Sequence, residues 1–327
     1  MSKLELPPEP PIVSFVVDGL IPRGHASLLY APAGVGKTRL LAYLAVQLTR
    51  PNGGMFGHYK TAHGWVLILD ADDPSGTGFA QWVNRFLKGC RDAQRSLLDH
   101  RAVSGGLLPH DIDKLAVELE QNPPTLIILD SFAAAFIGVD SIKAHKVQEP
   151  LTKLVELAVN IGAGIVITDH VGKLAPKQTV AEKGAMGTAQ KMAAPRAAFA
   201  LDKLPADECN ERDVLRLVCT KQSYAPVPPP MGLEVVLEGD IARITPFDLP
   251  NSERADERAA RVGTELLSTV GSKGIARGDL LKAMEAKAGV GSRTAANALK
   301  LIESRLGNRL KIERLGGRGN PLLYRLE

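Results

Sequence analysis

The chain is poor in cysteine and has no long apolar run. Its three cysteines, Cys90, Cys209 and Cys219, lie far apart without metal-ligand spacing, which argues against a structural zinc site and fits a reducing, cytoplasmic setting. No stretch of about 18 apolar residues occurs. The first residues, MSKLELPPEPP, are acidic and proline-rich rather than basic and then apolar. Neither membrane insertion nor secretion is expected. Net charge is only +4 over 327 residues, too little to name a partner class. It is unevenly spread, however. From Asn251 onward 15 Lys and Arg face 9 Asp and Glu, so nucleic-acid affinity built on net charge belongs to the tail.

What is present is a glycine loop in a telling place. Ala31-Pro-Ala-Gly-Val-Gly-Lys-Thr38 lies between an apolar run, His25–Tyr30, and a helical pattern, Arg39–Leu48. Strand, loop and helix in that order make a phosphate cradle. Backbone N–H groups and the helix dipole converge on phosphate oxygens, so Ala33, Gly34, Val35, Gly36, Lys37, Thr38 and Arg39 are expected to bind a nucleoside triphosphate. Lys37 can reach the β and γ phosphates, and the Thr38 hydroxyl can ligate Mg²⁺. The motif's first position holds Ala31 instead of glycine, which is tolerable where φ is negative.

Apolar runs around Leu28, at Trp65–Leu69, Thr125–Leu129, Gly164–Thr168 and Val214–Val218 alternate with helical patterns over 79–87, 111–120 and 147–160. This predicts a doubly wound α/β domain on a parallel sheet buried on both faces, spanning 12–247 after a tail at 1–11. Leu233–Leu237 and Ile241–Ile244 predict a hairpin added to that sheet. Residues 248–257 read as a linker. Beyond them, 258–327 predict three helices and a glycine-tipped hairpin, a small winged helix-turn-helix domain. Ser292 is expected to cap its third helix, whose exposed face would carry Arg293, Asn297 and Lys300, with Arg318 at the wing tip. Duplex DNA is the expected partner of such a domain, with protein docking as the alternative, since the fold serves both.

Strand ends supply the remaining chemistry. Leu126–Leu129 ends in Asp130, placed to hold Mg²⁺ opposite Thr38. Trp65–Leu69 delivers Asp70, Asp72 and Asp73, of which Asp72 and Asp73 are better placed to orient water. Gly164–Thr168 leads to Asp169 and His170, the latter either a γ-phosphate contact or a structural hydrogen-bonding residue.

The order of phosphate loop, ADDP, LIILDS, IVITDH and TKQSYA, with VDGLIPRG ahead of the first core strand, resembles the RecA-like hexameric ATPases. Within these it is similar to the replicative helicases of broad-host-range plasmids over roughly residues 12 to 245. The resemblance implies a RecA-like P-loop NTPase fold, ATP as nucleotide and catalytic residues Lys37, Asp72, Asp130 and His170. It places Asp72 where the family has glutamate, one methylene longer. It also implies a neighbour's cations in each site, on Arg196 and Lys221, which are otherwise solvated surface charges. It does not extend to the tail.

Between His170 and Arg196, Lys173, Lys177, Lys183 and Lys191 are spaced among glycines without a core pattern. In rings of this kind such a loop grips single-stranded DNA in the channel; a plain lid is the alternative. No aromatic interleaves the lysines, so the grip would be on phosphates. The resulting expectation is an ATP-driven hexameric DNA helicase with replication partner proteins. The alternatives are an ATP-dependent DNA-binding regulator or helicase loader, favoured by Asp72, and a recombination mediator.

Overall fold

In the computed structural model, which describes residues 12–136, 144–176, 178–186, 189–249, 255–288, 290–314 and 322–326, the apolar runs become strands buried on both faces. A short antiparallel pair, β1 (Phe15–Val17) and β2 (Ile21–Pro22), leads into β3 (Ala26–Ala31) and helix α1 (Lys37–Leu48). A second pair, β4 (Met55–Phe56) and β5 (Tyr59–Lys60), precedes β6 (Val66–Asp70) and α2 (Thr77–Gly89). Then follow β7 (Leu98–Ala102), α3 (Pro109–Leu119), β8 (Leu126–Asp130), α4 (Phe132–Ala135), α5 (Ala144–Ile161) and β9 (Gly164–His170). Two short helices, α6 (Val180–Lys183) and α7 (Ala189–Ala193), precede β10 (Ala197–Lys203), β11 (Val214–Gln222), β12 (Met231–Glu238) and β13 (Ile241–Phe247).

Among the described residues, nine strands form one sheet in the order β13-β12-β11-β10-β3-β9-β8-β6-β7. From β10 to β7 the pairings are parallel. From β10 outward to β13 they are antiparallel. The protein is therefore an α/β fold on a large, mostly parallel sheet, and the expectation that the Val214 run joins the parallel set is corrected. Only some ten residues separate β10 from β11, too few for a parallel crossover.

Alternate residues of the central strands enter opposite layers. Leu29, Val66, Ile68, Leu126, Ile128 and Val166 face the layer that includes α1 and α2. Leu28, Tyr30, Leu67, Leu69, Ile127, Leu129, Ile165 and Ile167 face the layer with α3, α4 and α5. The two-residue period of a strand distributes one apolar run between two cores. Helix α1 is buried continuously from Leu40 to Leu48, and each of its large aliphatic side chains contributes about 1.5–3 kcal/mol of burial. That anchors the glycine loop at its amino end.

Elements invisible to apolar patterning are those at the margin. β7 is the sheet's outer strand; its Leu98-Asp-His-Arg-Ala102 is half-buried and polar. The segment between β9 and β10 also has more structure than its lysines and glycines imply. A capping box between Thr179 and Glu182 starts α6, and Val180 and Lys191 are both buried.

The chain divides into two compact units, Met1–Pro250 and Asn251–Glu327. The second contains α8 (Ala255–Val270), β14 (Ile275–Ala276), α9 (Arg277–Ala288), α10 (Ser292–Leu306), β15 (Leu310–Arg314) and β16 (Leu322–Leu326). Its strands form an antiparallel sheet in the order β14-β16-β15. The expected linker thus ends inside α8, because 255–257 are helical. Leu267, Leu280, Met284, Leu299, Ile302 and Tyr324 form its core. Gly263 is required there, since a Cβ would meet Ile302 Cδ1 at 2.5 Å and Met284 Sδ at 2.9 Å. Gly291, not Ser292, occupies the N-cap of α10, and Ser292 is its first helical residue. An extended glycine there fills the role without a side-chain bond.

Candidate functional site

The parallel order β3-β9-β8-β6 brings four strand ends to one carboxyl rim, where α/β folds bind ligands. β3 ends at Ala31, fully buried, and the loop turns through Gly34 (φ 76°) and Gly36 (φ 120°). Both need the left-handed region, whereas Ala31 is ordinary strand backbone and accepts its methyl group. No acidic residue lies in the first turn of α1, so the helix's positive end is open to an anion at the loop.

Lys37 folds back into the rim. Its Nζ donates to the carbonyls of Ala31 (3.2 Å) and Pro32 (3.4 Å) and stands 3.4 Å from His170 Nδ1. Burial pushes its pKa down, opposed by the charges of Asp130, Asp72 and Asp169. The other ring nitrogen of His170, Nε2, stands 3.9 Å from Asp72 Oδ2.

Asp130 is buried at the end of β8. It accepts from Thr38 Oγ1 at 2.7 Å and from Thr168 Oγ1 at 2.6 Å. Desolvation pushes its carboxyl up against those two hydroxyls, and Asp72 and Asp70 add to the rise. The three aspartates after β6 have distinct surroundings. Asp70 is buried beside His100 Nε2 at 3.2 Å. Asp73 is tied into the start of α2 by the N–H groups of Ser75 and Gly78. Asp72 alone remains in the cleft, its Oδ1 accepting from Ser131 Oγ at 2.7 Å. Lys37, Thr38, Asp72 and His170 line one cleft with Ala33–Arg39, and the buried Asp130 lies behind it, bonded to Thr38.

A family model described as AAA domain matches residues 3–176, more than half of the chain. The chain belongs to the AAA domain family. Solved structures that resemble this AAA domain protein include the crystal structure of the RadB recombinase, at 15% identity and a TM-score of 0.48, over 70% of this chain and 93% of that one. No curated protein matches its sequence.

Arg196 and Lys221 are not at this cleft. β10 runs parallel to β3, with Ala197 level with Ser27 and Ala198 level with Lys221. Arg196, whose N–H donates to the Ala26 carbonyl, therefore sits at the amino end of β3, about 16 Å from Ala31 by five strand steps, whereas Lys221 is level with Leu28, about 10 Å from Ala31 by three. Lys221 Nζ donates to the carbonyls of Met192 (3.0 Å) and Ala193 (2.6 Å). Burial, then the nearby Arg196, lowers its pKa. Arg196 is exposed.

Two cleft residues, Trp82 and Lys203, and the aspartate that pairs beside them, Asp213, escaped sequence reasoning. Trp82, on α2, lies under the Arg39 guanidinium at 5.5 Å and the Arg85 guanidinium at 5.3 Å. Asp213, just before β11, pairs with Arg39 at 2.5 Å and with Lys203 at 2.8 Å. Burial pushes the Asp213 carboxyl up, but the two cations hold it below its ordinary value. No local motif marks these residues, because helix and strand packing alone brings them to the loop.

Lys173 and Lys183 are exposed on the segment after β9, and Arg293, Asn297 and Lys300 are exposed along one face of α10. Lys177 and Arg318 lie outside the described residues. Among the described residues no helix is long and apolar enough to cross a membrane.

Proposed function

We propose that this AAA domain protein is a RecA-like ATPase that assembles as a hexameric ring of identical subunits and hydrolyses ATP between neighbours while moving on single-stranded DNA. The main support is the division of charge between the two sheet edges. The phosphate loop, Asp72, Asp130 and His170 occupy the carboxyl rim, while Arg196 stands at the opposite end of β3 and Lys221 is turned to the carbonyls of Met192 and Ala193 instead of this cleft. A cation so placed suits a neighbour's pocket, where a group supplied in trans is worth about 10³–10⁵ in rate.

Within the cleft Lys37 balances phosphate charge. Asp72, oriented by Ser131, is the carboxylate that positions water and takes its proton. His170, whose ring lies between Lys37 and Asp72, is the group that registers the terminal phosphate. Thr38 and Asp130 offer two hard oxygens 2.7 Å apart, a donor pair that fits Mg²⁺ shared with phosphates. When bound, that ion neutralises charge during phosphoryl transfer. The Trp82 ring provides a stacking surface for the base.

Lys173 and Lys183, with Lys177 between them, would hold DNA phosphates in the channel. The unit after Asn251 has the helix and strand order of a winged helix-turn-helix, and Arg293, Asn297 and Lys300 suit duplex DNA. A second reading rests on Asp72, whose reach is one methylene short of glutamate: a nucleotide-governed DNA-binding regulator or loader that turns over slowly. Unwinding of a forked DNA duplex separates the two. Strand separation that needs ATP and disappears in Lys37→Ala supports the motor. ATP-dependent DNA binding without separation supports the regulator.

A further inference from the structure

Lys191 belongs by sequence with the exposed lysines of its segment, yet it is among the most buried side chains of the first unit, at 2% exposure. Its Nζ donates to Asp169 Oδ2 at 2.7 Å and lies 4.7 Å from the centroid of the Phe132 ring. Asp169 is itself 1% exposed, and its other oxygen accepts from the backbone N–H of His170 at 2.8 Å. The carbonyl of His170 accepts from Met186 N–H at 2.8 Å. Phe132 follows Asp130 by two residues, so α7 is fastened at once to the ends of β9 and β8.

Such a pair has no inexpensive way to open. Withdrawing α7 would leave the Asp169 carboxylate buried and uncompensated, which is more unfavourable than losing a surface contact. The helix and the end of β9 therefore move together, and whatever displaces His170 displaces both attachments of the segment carrying Lys173 and Lys183. We propose that Lys191 is a positioning residue that couples the cleft to this segment, so that nucleotide at the rim stiffens the backbone of 178–186. The inference rests on the reading of the cleft as a nucleotide site.

The test is backbone hydrogen exchange on the full chain, with and without a non-hydrolysable ATP analogue whose binding is followed by calorimetry. The variants are Lys191→Arg, which keeps the charge, and the double replacement Lys191→Met with Asp169→Asn, which removes both charges and leaves neither unpaired. In the unaltered protein the analogue should slow exchange over 178–186 about tenfold or more. Lys191→Arg should retain part of this. The double variant should bind the analogue within about threefold of the parent and lose the slowing. Equal slowing in the double variant, or binding to the parent without slowing, overturns the inference. If the parent binds no analogue, the nucleotide reading fails instead, and nucleotide-free exchange decides this one. Exchange about tenfold faster over 178–186 in the double variant, with α1 unchanged, supports it, and equal rates overturn it.

Discussion

At the scale of single residues, the cleft trades stability for chemistry. Asp130 is buried with its carboxyl pushed up by desolvation. A carboxyl raised on folding contributes its stability below the unfolded carboxylate range and loses it as pH rises through the higher folded value. At neutral pH, well above the unfolded carboxylate range, burying this carboxyl therefore costs the nucleotide-free protein stability. Asp130→Asn should raise its melting temperature near pH 7, an advantage that vanishes below about pH 4, while phosphate release falls about 10²-fold or more. Scanning calorimetry and a turnover assay read the two effects, and an unchanged or lowered melting temperature at pH 7 would refute the argument. Asp72 differs, being half-exposed and held by Ser131. Asp72→Asn should lower kcat by about 10²–10⁴ with little change in KM, the pattern of a lost general base.

Among elements, α2 and the segment after β9 each add a function to the rim. α2 presents Trp82 beside the loop, stacked by Arg39 and Arg85. If the ring carries the base, Trp82→Ala should raise KM for ATP by about 5- to 150-fold, the equivalent of about 1–3 kcal/mol of stacking. kcat should hold, and Trp82→Phe should recover most of the affinity. Steady-state kinetics with both variants separates stacking from general damage to the helix. The segment after β9 exposes Lys173 and Lys183. Replacing both with alanine should weaken single-stranded DNA binding and flatten its logarithmic salt dependence by about 1.4, roughly 0.7 per lost phosphate contact. A slope unchanged in a titration from low to high salt would exclude them from the DNA path.

For the whole molecule, the proposed function makes activity a property of the assembly, since Arg196 and the phosphate loop lie at opposite ends of β3. Arg196→Ala protomers retain an intact loop, and Lys37→Ala protomers retain an intact Arg196. Each alone should hydrolyse ATP about 10³-fold more slowly or worse. Mixed in equal amounts they should recover activity, because some junctions then pair an intact loop with an intact cation. Absence of recovery, with mixed assembly verified by mass, would put Arg196 outside the site.

Much of this was legible along the chain. Phosphate loop, helix α1 and the aspartates of β6 and β8 are local: each is set by a strand, a turn and the residue that ends it. Apolar runs disclosed the central strands because those strands are buried on both faces. The polar edge strand β7 left no such trace. Strand pattern alone did not separate Asp72 from Asp73, which only the resemblance did; the turn into α2 gives the physical reason by consuming Asp73 in backbone hydrogen bonds. Lys191 is the sharpest case, since spacing grouped it with solvent-facing lysines and only the packing of α7 against Phe132 and Asp169 removed it from water. The amino-acid order determined which residues end each strand and hence the chemistry available at the rim. Tertiary structure decided which of them share a cleft, which face the opposite edge and which are buried, because sheet order and helix packing join residues far apart in the chain.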